Sequence, residues 1–373
     1  MAAFLCALSA ILLLGSLVVG LLACGGSSNN AGGQGTSDDG KLNIVATIFP
    51  EYDWVREILG EEAENVNLSL LLSNGVDIHS FQPSAADILT IATSDVFIYV
   101  GGESDAWVAD ALKGNENPDR KVINLLDVLG DAAKEEELVE GMQHDHEHEE
   151  AHDHEAEEAE HEEVHDHEAE EAEHEAAHDH GSEEANHDHE DGEAEYDEHV
   201  WLSLRNVQIF VREIANVLKE ADPENAEAYE ANAKAYLEKL QNLDAQYEQA
   251  VKEGTKHTLL FGDRFPFRYL VDDYGIQYYA AFAGCSAETE ASFQTIVFLA
   301  GKLDELGLSH VLTIEGSDES LARTIIASTK EGNQTILKLD SMQATTAKDI
   351  AAGVTYLTIM EKNLEVLKEA LKN

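Results

Sequence analysis

In the first folded part of the chain, short apolar runs alternate with stretches in which apolar residues recur at helical spacing. The runs predict strands at residues 42–49, 66–72, 95–100 and 121–126. The intervening stretches predict helices at residues 51–59, 83–92 and 105–112. Alternating strands and helices of this kind are typical of a parallel sheet covered by helices. We therefore predict an α/β lobe built from residues 42–140 and completed by residues 196–222.

The second half of the chain repeats this alternation after an unusually long helical pattern. An amphipathic helix is predicted at residues 205–221, and the pattern from Pro223 stays helical until Gly254. The linking segment 223–254, helical as far as Glu253, would be about 46 Å long at 1.5 Å per residue, which suits a strut between two domains. Further strands are predicted at 258–261, 276–282, 310–314 and 334–339, and further helices at 266–274, 291–306, 318–329 and 346–372. The predicted fold class is α/β, with two similar lobes joined by one long rigid helix and the C-terminal lobe at 255–373.

The N-terminus carries an apolar run that ends in Leu-Leu-Ala before Cys24. We interpret residues 1–23 as a secretory signal peptide and residues 24–41, rich in Gly, Ser and Asn, as a flexible tether. The run resembles the lipobox of bacterial lipoproteins, which implies a lipidated Cys24 and an extracytoplasmic protein anchored to the cell membrane. Cys6 would leave with the signal, so Cys285 would be the only free thiol and no intramolecular disulfide could form.

Residues 141–195 consist largely of histidine, aspartate and glutamate. Lys and Arg are absent between Lys134 and Arg205, and His-Asp-His recurs five times. Imidazole is a good ligand for zinc, copper and nickel. We predict a disordered loop that binds metal weakly at several sites, because ordering such a chain costs entropy. Its candidate ligands are His144, His146, His148, His152, His154, His161, His165, His167, His174, His178, His180, His187 and His189.

The charge balance bears on the partners of this chain. The formal net charge is −52 at pH 7. Such a surface attracts cations and disfavours nucleic acid. Binding of a divalent metal is the function that this composition favours.

Three residues outside the loop are candidates for a fixed metal site. Ligands of open α/β sheets bind beyond the carboxyl ends of the strands. His79 follows a predicted strand, His199 lies just after the His-rich segment, and Asp340 follows the last predicted strand. Each is weak evidence alone, because a lone loop histidine is usually an ordinary surface residue.

Taken together, several short motifs resemble those of a known family. They are Ile48-Phe49-Pro50, the segment 75–84, His199-Val200-Trp201-Leu202 and Leu339-Asp340-Ser341. With the long helix, they resemble the zinc- and manganese-binding lipoproteins of bacterial ABC importers, the cluster A-I substrate-binding proteins. The resemblance implies a monomer that holds metal between its lobes and delivers it to an ABC permease and its ATPase. It places the first, second and last ligands of the family on His79, His199 and Asp340.

The third ligand of the family does not carry over. Its expected position falls on Gly262, which has no side chain. Asp263 is the nearest replacement, although the neighbouring Arg264 could pair with its carboxylate. Glu315, Cys285, a water molecule or a histidine from the loop are the alternatives.

The donor set leaves the metal and the function open between a few alternatives. Two imidazoles and a carboxylate suit zinc or manganese, and the His-rich loop favours Zn²⁺, with Mn²⁺ or iron as the alternative. Two histidines and an aspartate could also hold a catalytic zinc, but no His-Glu-x-x-His motif occurs outside the low-complexity His-rich segment, and no general base is evident. We therefore expect a binding protein rather than an enzyme. A surface metal buffer or adhesin without a transporter is the remaining alternative.

Overall fold

The computed structural model describes residues 40–113, 117, 119–143, 195–286 and 290–372. The N-terminal lobe contains a parallel sheet of four strands in the order β2-β1-β3-β4. The strands are β1 (Leu42–Ala46), β2 (Val66–Leu70), β3 (Val96–Tyr99) and β4 (Lys121–Asn124). The chain reverses its direction of winding between β1 and β3, and ligands of such sheets bind at this switch point.

Helices cover this sheet, and several begin at a side-chain cap. They are α1 (Phe49–Leu59), α2 (Ala85–Ala92), α3 (Trp107–Leu112), α4 (Leu125–Leu129) and α5 (Leu204–Ala221). Ser84 accepts a hydrogen bond from the Asp87 N–H at the start of α2, and Ser203 caps α5 in the same way. Such caps satisfy amide groups that the first helical turn leaves without an intrahelical partner.

The C-terminal lobe repeats the plan with a parallel sheet in the order β6-β5-β7-β8. Its strands are β5 (Thr258–Phe265), β6 (Gln277–Ala283), β7 (His310–Ile314) and β8 (Thr335–Leu339). The register between β5 and β6 shifts between Phe261 and Arg264, so residues 262 and 263 form an irregularity in the strand. The helices that follow the long helix α6 (Ala226–Glu253) in the chain are α7 (Arg268–Tyr274), α8 (Phe293–Leu306), α9 (Ser320–Ala327), α10 (Ala347–Ala351) and α11 (Tyr356–Ala370).

A single long helix, α6 (Ala226–Glu253), contacts both lobes, and a short 3₁₀ turn over Pro223–Asn225 leads into it. Asn232 donates a hydrogen bond to the Ile58 carbonyl at the end of α1. Further along, the buried hydroxyl of Tyr247 donates to the Met360 carbonyl of α11. The predicted strut is therefore confirmed, as is the fold class of two parallel α/β lobes.

The lobes also share buried apolar residues. One continuous cluster includes Ile44 and Val96 of the first sheet and Phe261 and Leu312 of the second. The indole N–H of Trp201 donates a hydrogen bond to the Ser341 carbonyl at 2.9 Å, across the interface between the two lobes, which we call the seam. Burial of a shared apolar surface restrains the lobes against each other, because opening the seam would expose it to water.

The element boundaries differ from the sequence predictions at several places; for example, β1 ends at Ala46 rather than at residue 49, and β5 continues to Phe265 rather than ending at residue 261. The predicted final helix over 346–372 is wrong, because the structure divides it into α10 and α11. Gly353 lies between them with φ of 91°, and Thr355 caps α11 by accepting from the Thr358 N–H. The predicted strand at 121–126 ends at Asn124, whose side chain caps the short helix α4.

Some predicted segments lie outside the described residues. They are the signal peptide 1–23, Cys24 with nearly all of the tether, and the thirteen histidines from His144 to His189. Across the part of the chain that the structure describes, no helix has the length and apolar character needed to cross a membrane.

Candidate metal site

His79 lies in the connection between β2 and α2, on a single 3₁₀ turn over Ile78–Ser80. Asp77 caps this turn, since its Oδ1 accepts the His79 backbone N–H at 3.1 Å. Aspartate suits this position because its short side chain bonds readily to amide groups two residues further on. The cap fixes the backbone of His79 and leaves its ring directed towards the seam, where it meets His199.

His199 is fully buried and is held by the aspartate two residues before it. The Oδ1 atom of Asp197 accepts from the His199 backbone N–H at 2.8 Å and lies 3.0 Å from Nδ1 of the same ring. On another side, the ring of Trp201 lies 5.2 Å from the His199 ring, between centroids. Trp201 therefore packs directly beside His199.

The two imidazoles face each other with their Nε2 atoms 3.2 Å apart. On the far side of the His79 ring, Nδ1 lies 2.7 Å from Ser104 Oγ and 3.4 Å from Glu198 Oε2. The Asp197 carboxylate fixes the proton of neutral His199 on Nδ1, and Glu198 favours the same tautomer in His79. Both Nε2 lone pairs then point into one space. Two nitrogens of a tetrahedral zinc site lie about 3.3 Å apart, given Zn–N bonds of about 2.0–2.1 Å.

The carboxylates around the histidines set the electrostatics of the site. Burial disfavours the charged form of His199, but the charge and hydrogen bond of Asp197 outweigh it and raise the pKa of His199 above its usual value. Burial opposes ionisation of Glu198 as well, yet His79 and the Ser104 amide hold its pKa below the usual range. Negative charge beside neutral imidazoles attracts a divalent cation and strengthens the rings as ligands.

A thiol completes a cluster of three ligand atoms. The Cys285 sulfur and one nitrogen from each of His79 and His199 all lie within 4.8 Å of one another. Cys285 follows β6 in the C-terminal lobe, whereas both histidines belong to the N-terminal part of the chain. Its thiol is free, and burial raises its pKa. Cys285 was one of the alternatives for the third ligand.

The other candidate carboxylates lie outside this cluster among the described residues. The Glu315 carboxylate is engaged in hydrogen bonds that stabilise the loop after β8. Its two oxygens accept from the backbone N–H and the hydroxyl of Ser341 and from two further amide groups. Asp263 accepts from the Ile314 and Arg264 amide groups. Asp340 accepts from the Met342 amide, and burial beside Glu315 raises its pKa to about 6. The assignment of Asp340, Asp263 and Glu315 as ligands stays a prediction.

The residues at the expected third position have other roles. A Cβ on Gly262 would lie 2.8 Å from the Cα of Ala322, so this position faces α9. The guanidinium of Arg264 lies 2.7 Å from Asp77 in the other lobe, and not on the carboxylate of its neighbour Asp263. Burial would raise the pKa of Asp77, but the hydrogen bond from Arg264 holds it below its usual range. Arg264 thus joins the C-terminal lobe to the turn that carries His79.

Sequence reasoning missed the residues that orient the two rings. Asp197, Glu198 and Ser104 were not among the candidates, although Asp197-Glu198 directly precedes His199. An acidic residue two positions before a ligand histidine is a usable signal, because it reaches the Nδ1 atom of the ring. Ser104 carries no such signal, since it lies 25 residues from His79 and only the fold brings them together.

Two parallel α/β lobes joined by a long helix, with paired imidazoles at their seam, define a metal-binding member of the bilobal substrate-binding proteins. Residues 44–370 match the model of the ZnuA family, described as the periplasmic component A of zinc-uptake complexes. The chain belongs to this family.

Curated relatives and solved structures agree with this placement. The zinc-binding protein AdcA of Streptococcus pyogenes is 29% identical over 334 residues, which cover 88% of this chain and 56% of AdcA. The chain therefore spans little more than half the length of that relative. ZnuA of Bacillus subtilis, a high-affinity zinc uptake protein, is 28% identical over 94% of this chain and 93% of its own. The Zn(II)-bound ZnuA-like domain of Streptococcus pneumoniae AdcA superimposes with a TM-score of 0.61 at 26% identity, covering 89% of this chain and 99% of that domain.

Proposed function

We propose that this protein captures Zn²⁺ outside the cytoplasm and delivers it to an ABC permease driven by its ATPase. The metal is the cargo, and no covalent chemistry is required of the protein. His79 and His199 provide the fixed part of the site. AdcA and Bacillus subtilis ZnuA are both named as zinc proteins, which supports Zn²⁺ over Mn²⁺ as the cargo.

The approach of the two Nε2 atoms to 3.2 Å carries this proposal. Two neutral imidazoles with their protons on the far sides repel each other at that distance, unless a proton or metal ion lies between them. Asp197 and Glu198 favour such protons on the far sides, in the manner of carboxylate–histidine–zinc triads. The arrangement is therefore prepared for a cation.

The His-rich segment is proposed to supply this site. Its two ends, Gln143 and Glu195, are the last and first described residues on either side of it. Glu195 lines a cavity of about 270 Å³ together with His79, Glu198 and Cys285. Repulsion from the negative charge of Glu103 raises the pKa of Glu195 above its usual value, because several carboxylates lie close together at this cavity. Zinc released from the loop would thus meet an acidic cavity that opens onto His79.

Membrane attachment follows from the N-terminal sequence rather than from the described residues. We propose that Cys24 anchors a monomeric receptor to the cell membrane, so that the folded lobes stay close to the permease. A metalloenzyme is the weaker alternative. The family is described as a component of zinc-uptake complexes, and the matched relatives are named as zinc-binding or zinc-uptake proteins.

Zinc-dependent growth tests the transport role. A bacterial strain that lacks its own zinc-binding component would express this chain with its permease and ATPase in medium depleted by a chelator. We expect the wild-type chain to restore growth and the His79→Ala/His199→Ala double variant to fail at equal protein level. His310→Ala changes a histidine outside the ligand cluster and serves as the matched control. Restoration of growth by the double variant would overturn the proposed role.

A further inference from the structure

The C-terminal lobe closely approaches His199 through the residues that follow β6. A Cβ on Gly284 would lie 3.0 Å from Cε1 and 3.1 Å from Nδ1 of His199. Glycine is therefore the residue that lets the backbone pass the ring at this distance. The next residue, Cys285, is fixed by its own N–H, which donates to Glu136 Oε1 at 3.1 Å.

This placement brings a soft donor to the paired imidazoles. The Cys285 sulfur lies within 4.8 Å of a ligand nitrogen of both His79 and His199. In a tetrahedral site with Zn–S of about 2.3 Å and Zn–N of about 2.0–2.1 Å, sulfur and nitrogen lie about 3.5 Å apart. A small side-chain adjustment towards a shared ion closes the difference.

We propose that Cys285 is the third zinc ligand and that it supplies the contribution of the C-terminal lobe to the site. This inference rests on the proposed capture of zinc by His79 and His199. On binding, a Zn–S bond forms, the S–H bond breaks, and the proton passes to solvent, with no change of oxidation state.

Gly262 explains why the ligand comes from another strand. A side chain there would meet the backbone of Ala322 and the side chain of Val311 rather than the histidines. The neighbouring parallel strand β6 ends at the same edge of the sheet, and Cys285 follows that end. The donor has thus moved from β5 to the adjacent strand.

A thiolate at this position has a consequence for metal choice. Thiolate ligands suit zinc, whereas manganese prefers carboxylate, carbonyl and water oxygens. Two imidazoles with a thiolate therefore discriminate against Mn²⁺ more strongly than two imidazoles with a carboxylate. The specificity of the site for zinc over manganese is expected to depend on Cys285.

Cobalt spectroscopy tests the proposal directly. Co²⁺ would be added to the full chain carrying Cys6→Ser and Cys24→Ser, so that Cys285 is the only thiol. A thiolate bound to Co²⁺ gives an intense near-ultraviolet charge-transfer band that imidazole and carboxylate ligands lack. We expect this band at one Co²⁺ per chain, its removal by added Zn²⁺, and its absence in Cys285→Ser.

Zinc affinity separates this inference from the proposed function. Cys285→Ser should weaken tight zinc binding by about 100-fold or more, beyond the 10–100-fold that loss of an outer-shell partner costs. Ser286→Ala, the adjacent conservative change, should leave both band and affinity unaltered. Two results together would overturn Cys285 as a ligand and leave the proposed function intact. They are tight zinc binding by Cys285→Ser and the absence of a thiolate band from the Cys6→Ser/Cys24→Ser chain that retains Cys285. Absence of tight zinc binding from the parent chain itself would overturn both.

Discussion

The orientation of His199 depends on one carboxylate. The Asp197 carboxylate makes direct hydrogen bonds with both the backbone N–H and the ring of this histidine, at 2.8 and 3.0 Å. We predict that Asp197→Asn lowers zinc affinity by about 10- to 100-fold, because the ring loses a negative partner that fixes its tautomer and strengthens it as a ligand. Competition titration against a zinc chelator measures the change. Asp222→Asn, at a carboxylate outside the ligand cluster, is the matched control, and an equal effect of both variants would refute the orienting role.

A second acidic residue, Glu51, makes folding depend on pH. Burial raises the pKa of Glu51 to about 8 from its ordinary 4.5, and the folded protein therefore holds a proton that the unfolded chain releases in this range. Its contribution to stability is complete below pH 4.5 and is lost as the pH rises to about 8. The loss amounts to at most about 1.4 kcal/mol for each pH unit.

Replacement of Glu51 by glutamine removes this contribution to the pH dependence. The free energy of unfolding of zinc-free Glu51→Gln, minus that of the wild type, should increase as the pH rises from 5 to 8. Denaturant unfolding at a series of pH values measures it. Glu61→Gln, at an exposed glutamate, should give a difference that is nearly constant with pH. A constant difference for Glu51→Gln would show that Glu51 is ionised in the folded protein.

Among individual residues, the sequence selected His79 and His199 as candidate ligands, whereas for the third donor it favoured Asp263 and left several alternatives open. His79 and His199 stand in recognisable motifs that follow strands or precede helices. Cys285 was one of several alternatives in the sequence, and it is favoured only once the fold places the end of β6 near His199, which lies 86 residues earlier in the chain. Such tertiary placement is not encoded in any local pattern.

At the scale of elements, the irregular strand β5 shows why Gly262 is not a ligand position. The contacts that a Cβ would make, 2.8 Å to Ala322 Cα and 3.0 Å to Val311 Cγ1, are too close for a packed interior. We predict that Gly262→Ala destabilises the fold by about 1–3 kcal/mol, as overpacking of a core commonly does. Chemical denaturation gives the free energy of unfolding.

Gly301 in α8 offers the matched control for this substitution. Apart from its chain neighbours and the nearby backbone of its own helix, nothing among the described residues lies within 4 Å of a Cβ built there. Gly301→Ala should stabilise the protein by about 0.5–1 kcal/mol, since alanine loses less backbone entropy in a helix. Destabilisation of similar size in both variants would show that the packing against α9 is not what restricts position 262.

Periodicity predicted most elements well, and its failures have local causes. The long helix α6 and strand β7 match the predicted boundaries closely, because apolar positions repeat without interruption. The last helix was predicted without a break because apolar spacing continues through Gly353. The backbone there takes φ of 91°, and Thr355 begins a new helix with its own cap. Local backbone reversal of this kind does not alter hydrophobic periodicity.

For the whole molecule, the seam between the lobes is the feature that organises the site. Trp201 donates a hydrogen bond to the Ser341 carbonyl, and Arg264 pairs with Asp77. At the start of segment 141–195, the backbone N–H of Gln143 donates to the Ala281 carbonyl of the second lobe. The candidate ligands His79 and His199 lie beside two of these contacts, because Asp77 caps the turn of His79 and the Trp201 ring packs near His199. We therefore expect zinc capture to depend on how the two lobes meet, with the His-rich segment in an accessory role.

Zinc titration of a chain without loop ligands tests this account most directly. All thirteen histidines from His144 to His189 would be changed to asparagine, which keeps the length of the loop and removes its imidazoles. The account predicts one tightly bound Zn²⁺ per chain in this variant and its loss when His79→Ala and His199→Ala are added. A chain that binds no zinc tightly once the loop histidines are gone, or one that keeps its tight zinc in the double variant, would contradict the central claim.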